Sequence, residues 1–206
     1  MSLETDPEGH ATEYHYDGQG LPHTIRDAHG GHTLLRWNRR GQLLAHTDCS
    51  GKTTHFAYDS RGYLTRVTDA LGNRTTYLSD ALGRVSEVVL PDGGRQRFEY
   101  DAHGGLLQIT DTHERTTRYE RNARGLLTLR IDALGKSVQF GYDQAFRLRE
   151  LVNPNGECYR FTYDSEDRLV EETALDGRRR RIDYDARGLP VAMTDAVGTP
   201  DASRSR

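Results

Sequence analysis

Apolar residues recur along the chain in two interleaved rows, each advancing by 21 residues. One row runs Leu43, Leu64, Val85, Leu106, Leu127, Leu148 and Leu169, with Pro22 and Pro190 in the outer copies. The other runs Leu35, Phe56, Tyr77, Phe98, Tyr119, Phe140, Phe161 and Ile182. Each row member sits in a short stretch rich in Thr, Arg and β-branched residues, such as Leu64-Thr65-Arg66-Val67-Thr68. Such stretches have the composition of β-strands, and Gly-bearing turns between them make a meander of hairpins. A Gly about every ten residues would interrupt any helix. The pattern therefore predicts an all-β fold, an antiparallel β-meander of roughly seventeen or eighteen short strands.

The punctuation is as regular as the rows. Asp or Asn stands at Asp17, Asn38, Asp59, Asp80, Asp101, Asn122, Asp143, Asp164 and Asp185, without insertion or deletion. The preceding residue is aromatic at Tyr16, Trp37, Tyr58, Tyr100, Tyr142, Tyr163 and Tyr184, while Ser79 and Arg121 depart from the pattern. Three residues after the Asp/Asn comes Gly20, Gly41, Gly62, Gly83, Gly104, Gly125 or Gly188, with Phe146 and Asp167 as replacements. Asp at the first position and Gly at the fourth are the composition of a type I turn: the carboxylate accepts a local N–H and Gly tolerates positive φ. A second turn in each repeat carries Gly30, Gly51, Gly72, Gly93, Gly135, Gly156, Gly177 and Gly198, with Glu114 as its one miss. Nine copies of a strand–turn–strand–turn unit make the chain an array rather than a mixed globular fold.

The aromatic anchor and the apolar row ahead of it, taken as one step apart, would face opposite sides of a regular strand. Two arrangements are open: an aromatic row on each face, or an intervening bulge. Both stack like residues strand upon strand, the unit of sheet stabilisation. A twisted sheet of so many strands must coil, close or stack on itself.

Composition sharpens this picture. The hydrophobic share is 34%, below the roughly 45–50% of typical globular chains, so a thick core is not expected and a hollow or single-layered winding fits better. The net charge of −3 is nearly balanced, which argues against a nucleic-acid partner. Cys49 and Cys158 fall at different phases of the repeat and read as free thiols. No apolar run approaches a membrane span. Met1-Ser2-Leu3-Glu4-Thr5-Asp6 lacks the basic region and apolar core of a secretory signal, so the segment by itself is expected in the cytoplasm.

Residues 1–5 read as an N-terminal leader, 6–198 as the repeat array and 199–206 as a polar tail. The array starts in mid-repeat, and Gly198 opens a turn without a return strand. Repeat arrays normally cap their ends, so the expectation is a slice of something longer.

The repeat beginning Tyr58-Asp59-Ser60-Arg61-Gly62-Tyr63-Leu64-Thr65-Arg66-Val67-Thr68-Asp69-Ala70-Leu71-Gly72 closely resembles the YD repeat of bacterial Rhs proteins. Tyr100-Asp101-Ala102-His103-Gly104 and Tyr184-Asp185-Ala186-Arg187-Gly188-Leu189 repeat the signature. The same repeat is found in wall-associated proteins, in B and C components of Tc insecticidal toxins and in teneurins. The resemblance implies a β-strip that spirals into a hollow shell around a C-terminal toxin. It implies a parent protein that is secreted or on the cell surface, used between competing bacteria and often delivered by type VI secretion. The implied partners are the rest of the shell, the enclosed toxin, and secretion-apparatus or immunity proteins. The family's self-cleaving segment carries paired Asp-Pro motifs; here Asp-Pro occurs only at Asp6-Pro7, outside such a motif.

No Gly-x-Ser-x-Gly motif, P-loop or dinucleotide fingerprint is present. The periodic Asp residues lack the density of a calcium array and are better explained as turn caps. Nine His residues fall at unrelated phases; His29 and His32 are a close pair better read as surface. Arg178-Arg179-Arg180-Arg181 reads as a charged strand that discourages edge pairing. The expected role is structural and non-catalytic, with no catalytic residue, cofactor or metal. The signature Tyr, Asp/Asn and Gly residues serve the repeat itself. The alternative is a binding module in which Tyr side chains and Trp37 stack on glycans.

Overall fold

The computed structural model describes residues 1–196, so Gly198 and the 199–206 tail lie outside the described residues. These residues form nineteen strands and no helix. The chain divides into two compact bodies. The first, Met1–Phe98 with Asp111–His113, holds β1 (Ser2–Thr5), β2 (Ala11–Tyr16), β3 (Pro22–Arg26), β4 (His32–Trp37), β5 (Leu43–Thr47), β6 (Thr53–Tyr58), β7 (Leu64–Thr68), β8 (Arg74–Ser79), β9 (Val85–Val89) and most of β10 (Arg95–Tyr100). The second, Glu99–Thr110 with the residues from Glu114 onward, holds β11 (Leu106–Thr110), β12 (Thr116–Arg121), β13 (Leu127–Ile131), β14 (Ser137–Tyr142), β15 (Leu148–Val152), β16 (Cys158–Tyr163), β17 (Leu169–Thr173), β18 (Arg179–Tyr184) and β19 (Pro190–Ala196).

Within each body the described strands pair antiparallel with their sequence neighbours. Each body is thus a single-layered meander. Among the described residues only Ala45 and Val88 are buried, and no side chain is fully enclosed. Stability must come from ladders, turns and half-buried cross-strand pairs rather than from a core.

Both kinds of turn share one geometry. In the Asp59 turn the Gly62 N–H donates to the Asp59 carbonyl at 3.1 Å, and the Asp59 N–H donates to the Tyr63 carbonyl at 2.9 Å. The Asp69 turn repeats both bonds at 3.0 Å. This is a three-residue hairpin loop, a type I turn followed by a left-handed residue. Leu90 and Ala174 occupy the first position of two turns without a carboxylate. There the aspartate moves two residues on, and Asp92 and Asp176 accept the N–H of Gly94 and Arg178.

The hairpins closed by eight of the signature turns carry the same register shift. In β6–β7, Phe56 faces Val67, Ala57 faces Arg66 and Tyr58 faces Leu64, leaving Thr65 unmatched. The same shift follows in β2–β3, β4–β5, β8–β9, β12–β13, β14–β15, β16–β17 and β18–β19. The bulge is therefore present, but it lies in the strand after the turn. The anchor stands two residues beyond its apolar row partner, as Tyr58 does beyond Phe56, so both occupy one face. An aromatic row on each face is not what forms. The unmatched residue is put to use: Thr65, Ser86 and Thr128 each donate a hydroxyl to the facing strand, at Ala57, Leu78 and Glu120 carbonyls, all at 3.2 Å.

Ser2–Thr5 forms strand β1, paired with β2 over all four residues. One further expectation changes. The Arg178–Arg181 run does not guard an edge, because β18 pairs with β17 on one side and β19 on the other. Three of its four guanidinium groups meet carboxylates: Arg178 meets Asp176 at 2.6 Å, Arg180 meets Glu172 at 3.1 Å and Asp195 at 3.0 Å, and Arg181 meets Asp183 at 3.4 Å.

Candidate functional site: the signature turns and their aromatic anchors

The signature residues gather at the turns between β2 and β3 and their equivalents, one turn per repeat. At each turn one side-chain oxygen of the Asp/Asn accepts two backbone N–H groups, from the residues two and four further on. Asp17 takes Gln19 and Leu21, Asn38 takes Arg40 and Gln42, and Asp59 takes Arg61 and Tyr63. Asp80, Asp101, Asn122, Asp143, Asp164 and Asp185 repeat the pattern. An amide oxygen serves as well as a carboxylate, which is why Asn alternates with Asp. The bonds hold several carboxyls below their ordinary range: Tyr63 N–H for Asp59, Gly105 N–H for Asp101, Leu189 N–H for Asp185. Oxygens engaged in this way are turn caps.

Gly20, Gly41, Gly62, Gly83, Gly104, Gly125 and Gly188 all adopt positive φ, Gly125 at 80°. At Gly125 a Cβ would meet nothing within 4 Å, so the backbone conformation alone selects glycine there. Gly83 adds a steric reason, because a Cβ would run into the Tyr63 ring. The three residues that interrupt the Gly pattern, Glu114, Phe146 and Asp167, keep the same left-handed backbone at φ 58°, 66° and 64°.

The aromatic anchors have a role that the sequence pattern did not disclose. Tyr58 donates its hydroxyl to the Leu43 carbonyl at 3.0 Å, fifteen residues back. Tyr142, Tyr163 and Tyr184 do the same to Leu127, Leu148 and Leu169, at 2.8, 2.9 and 2.9 Å. Trp37 donates its indole N–H to Pro22 at 2.7 Å. The links are serial, since Leu43 is the register partner of Trp37, and Leu148 is that of Tyr142. Each ring thus ties its own hairpin to the bulged start of the preceding one. Tyr16 instead meets Ser2 Oγ at 2.9 Å, and Tyr100 closes β10. The requirement is an aromatic ring with a polar hydrogen, which Tyr and Trp meet and Phe does not.

Consecutive turns are also stitched along the same edge. Gln42 Nε2 donates to the Gly62 carbonyl at 2.8 Å, and Arg40 to the Ser60 carbonyl at 2.8 Å. Arg147 binds Asp143 at 2.7 Å, then reaches the next turn at Asp167 at 2.6 Å. Arg168 binds Asp164 at 2.8 Å and lies over the Tyr184 ring at 4.9 Å, as Arg147 lies over Tyr163 at 4.7 Å. The sequence signal for these bridges is a long polar residue four after the Asp/Asn. Between two such turns lies an open depression of about 490 Å³ lined by Asn38, Arg40, Gln42, Tyr58 and Asp59.

Elsewhere, Asp6, Glu8 and His10 form an exposed group within 4.8 Å. Asp6 there caps its own turn by accepting the Glu8 and His10 N–H groups. His29 stacks on His10 at 6.3 Å rather than pairing with His32. Cys49 is exposed, and the half-buried Cys158 thiol donates to the Tyr159 carbonyl at 3.3 Å.

Comparison with known proteins agrees with this geometry. No curated protein sequence matches the chain. Among solved structures, the crystal structure of TcdB2-TccC3-TEV matches with 16% identity and a TM-score of 0.53, covering 92% of this chain and 14% of that one. TcdB2-TccC3 without its hypervariable C-terminal region matches with 15% identity and a TM-score of 0.53, covering 93% and 14%. At such identity the likeness is one of fold, and the present chain spans only about one seventh of those structures. The description of the RHS repeat matches residues 37–77, 80–116, 100–137, 121–157, 147–179 and 163–200. Spanning well over half of the chain in register with the observed turns, these matches show that the chain belongs to the RHS repeat family.

Proposed function

We propose that this chain is a non-catalytic wall segment of an Rhs-type shell that encloses a C-terminal toxin for delivery between competing bacteria. The observation that carries the proposal is the inward use of the repeat's chemistry. The signature Asp/Asn oxygens bind backbone, and the Tyr58, Tyr142, Tyr163, Tyr184 and Trp37 donors bind main-chain carbonyls of the preceding hairpin. Groups committed to stitching one repeat to the next suit a wall, whose action is to separate cargo from its surroundings. A single-layered sheet without a buried core suits it too, because both faces stay available to solvent or contents. The same ring donors would be needed to orient a sugar, so their internal use speaks against a glycan-binding module.

The test is the DNA flanking the coding segment. In-frame repeats on both sides, followed by an Asp-Pro-rich segment and a variable domain, are the expected result. A reading frame that opens at Met1 and stops after Arg206 would overturn the shell reading.

A further inference from the structure

On the face opposite the aromatic anchors, strands β4 to β8 present a surface of one charge sign. Register places Arg36 across from Ala45, Ala45 across from His55, His55 across from Thr68, and Thr68 across from Arg74. One cross-strand row thus runs from Arg36 to Arg74, about 19 Å at the usual strand spacing. Arg66 stands in the adjoining row, between Ala57 and Thr76. Arg36, His55, Arg66 and Arg74 are all exposed. None of the five strands contains an acidic residue. The aspartates of this stretch, Asp48, Asp59, Asp69 and Asp80, lie in turns with an oxygen bound to backbone N–H groups. Among the described residues no carboxylate lies within ion-pair distance of Arg36, Arg66 or Arg74.

The flanking rows of the same face are built differently. Arg26 has Glu13 at 3.7 Å, and Arg97 has Glu87 at 3.5 Å. There the sheet supplies a carboxylate from the neighbouring strand for each guanidinium. Between those rows it supplies cations, hydroxyls and small apolar side chains but no carboxylate, and the missing complement is a set of carboxylates.

We propose that the β4–β8 face is a docking surface for an acidic polypeptide segment, whose Asp and Glu side chains pair with Arg36, Arg66 and Arg74. Guanidinium groups match carboxylates bidentately, and Thr68 and Thr76 add neutral hydroxyls beside them. A single-stranded nucleic acid would need aromatic platforms among the cations, and the aromatic anchors lie on the other face. The inference stands on charge and register within one body and does not depend on the shell proposal.

The test uses the full chain and fluorescein-labelled poly-L-glutamate, with binding read by anisotropy at low and raised salt. Binding that weakens with salt is expected, falling about tenfold or more in R36Q/R66Q/R74Q. A control of equal charge change elsewhere, R149Q/R178Q/R187Q, is expected to bind as the parent does. The lysine version R36K/R66K/R74K keeps the charge without the fork and should bind at an intermediate level, with thermal melts confirming that each variant is folded. No binding of poly-L-glutamate, or equal loss in the control, would overturn the proposal. Tighter binding of a charge-matched oligonucleotide or heparin fragment would overturn its assignment to a polypeptide.

Discussion

The Tyr163 hydroxyl donates to the main-chain carbonyl of Leu148 at 2.9 Å, and Leu148 is itself the register partner of Tyr142. One hydrogen bond therefore joins the anchor of one repeat to the bulge created by the anchor before it. Repeat arrays hold together through such neighbour-to-neighbour terms, because no distant contact can substitute for them.

The place where an anchor is absent offers a gain. Ser79 faces Val85 at the position filled elsewhere by Tyr or Trp, and by analogy its acceptor would be the Leu64 carbonyl. Ser79→Tyr should raise stability by about 1 kcal/mol, the usual net value of such a bond. Conversely, Trp37→Phe, which keeps a ring but removes the donor, should lower it by a similar amount. Urea denaturation of the two variants checks both signs.

Glycine substitutions should separate backbone strain from contact. Gly125→Ala meets no neighbour, so its cost is that of left-handed backbone, about 1–2 kcal/mol. Gly83→Ala adds a collision with the Tyr63 ring and should cost clearly more. Asp167→Gly works the other way: φ of 64° becomes unstrained, and the gain of about 1 kcal/mol outweighs an exposed ion pair with Arg147. Phe146→Gly should be near neutral, because relief of φ is offset by loss of the Arg124 contact over its ring at 4.0 Å. Thermal melts of the four variants give the order.

Acid should weaken the array through its turns. The Tyr63, Gly105 and Leu189 N–H groups hold the carboxyls of Asp59, Asp101 and Asp185 below their unfolded values. A depressed folded pKa contributes stability that is fully present above the unfolded value, about 3.9, and is lost as pH falls through the folded one. Stability should therefore hold flat at neutral pH and decline below about pH 4. The triple variant D59N/D101N/D185N should decline less, since Asn38 and Asn122 already cap their turns without a titrating group. Melting temperature against pH for parent and triple variant checks this.

The period, the turns and the all-β character could be read from the residues because each is a local matter. Asp17 with Gly20, or Asp59 with Gly62, specifies a turn through its own backbone chemistry. Register across strands is not local. That Phe56 and Tyr58 share a face, that Thr65 is unmatched, and that Tyr58 reaches Leu43 depend on how two hairpins sit side by side. Pairing near the ends is hidden from the residues for a related reason. Ser2–Thr5 carries no strand signature of its own and is held by pairing with β2. Arg180 gains its acidic partners, Glu172 and Asp195, only once β17 and β19 flank it. At the signature turns, the Asp, Gly and aromatic positions were legible, whereas the acceptors of the aromatic donors, being backbone carbonyls, leave no trace in residue identity.

The account rests most on the claim that the aromatic anchors are hydrogen-bond donors joining successive repeats. Its most direct test is urea denaturation of the chain carrying Tyr58→Phe, Tyr142→Phe, Tyr163→Phe and Tyr184→Phe together, which removes four hydroxyls and leaves every ring in place. A loss of roughly 4 kcal/mol, about 1 for each bond, with a broadened transition as repeats uncouple, is the predicted result. Stability and cooperativity equal to the parent's would contradict the account.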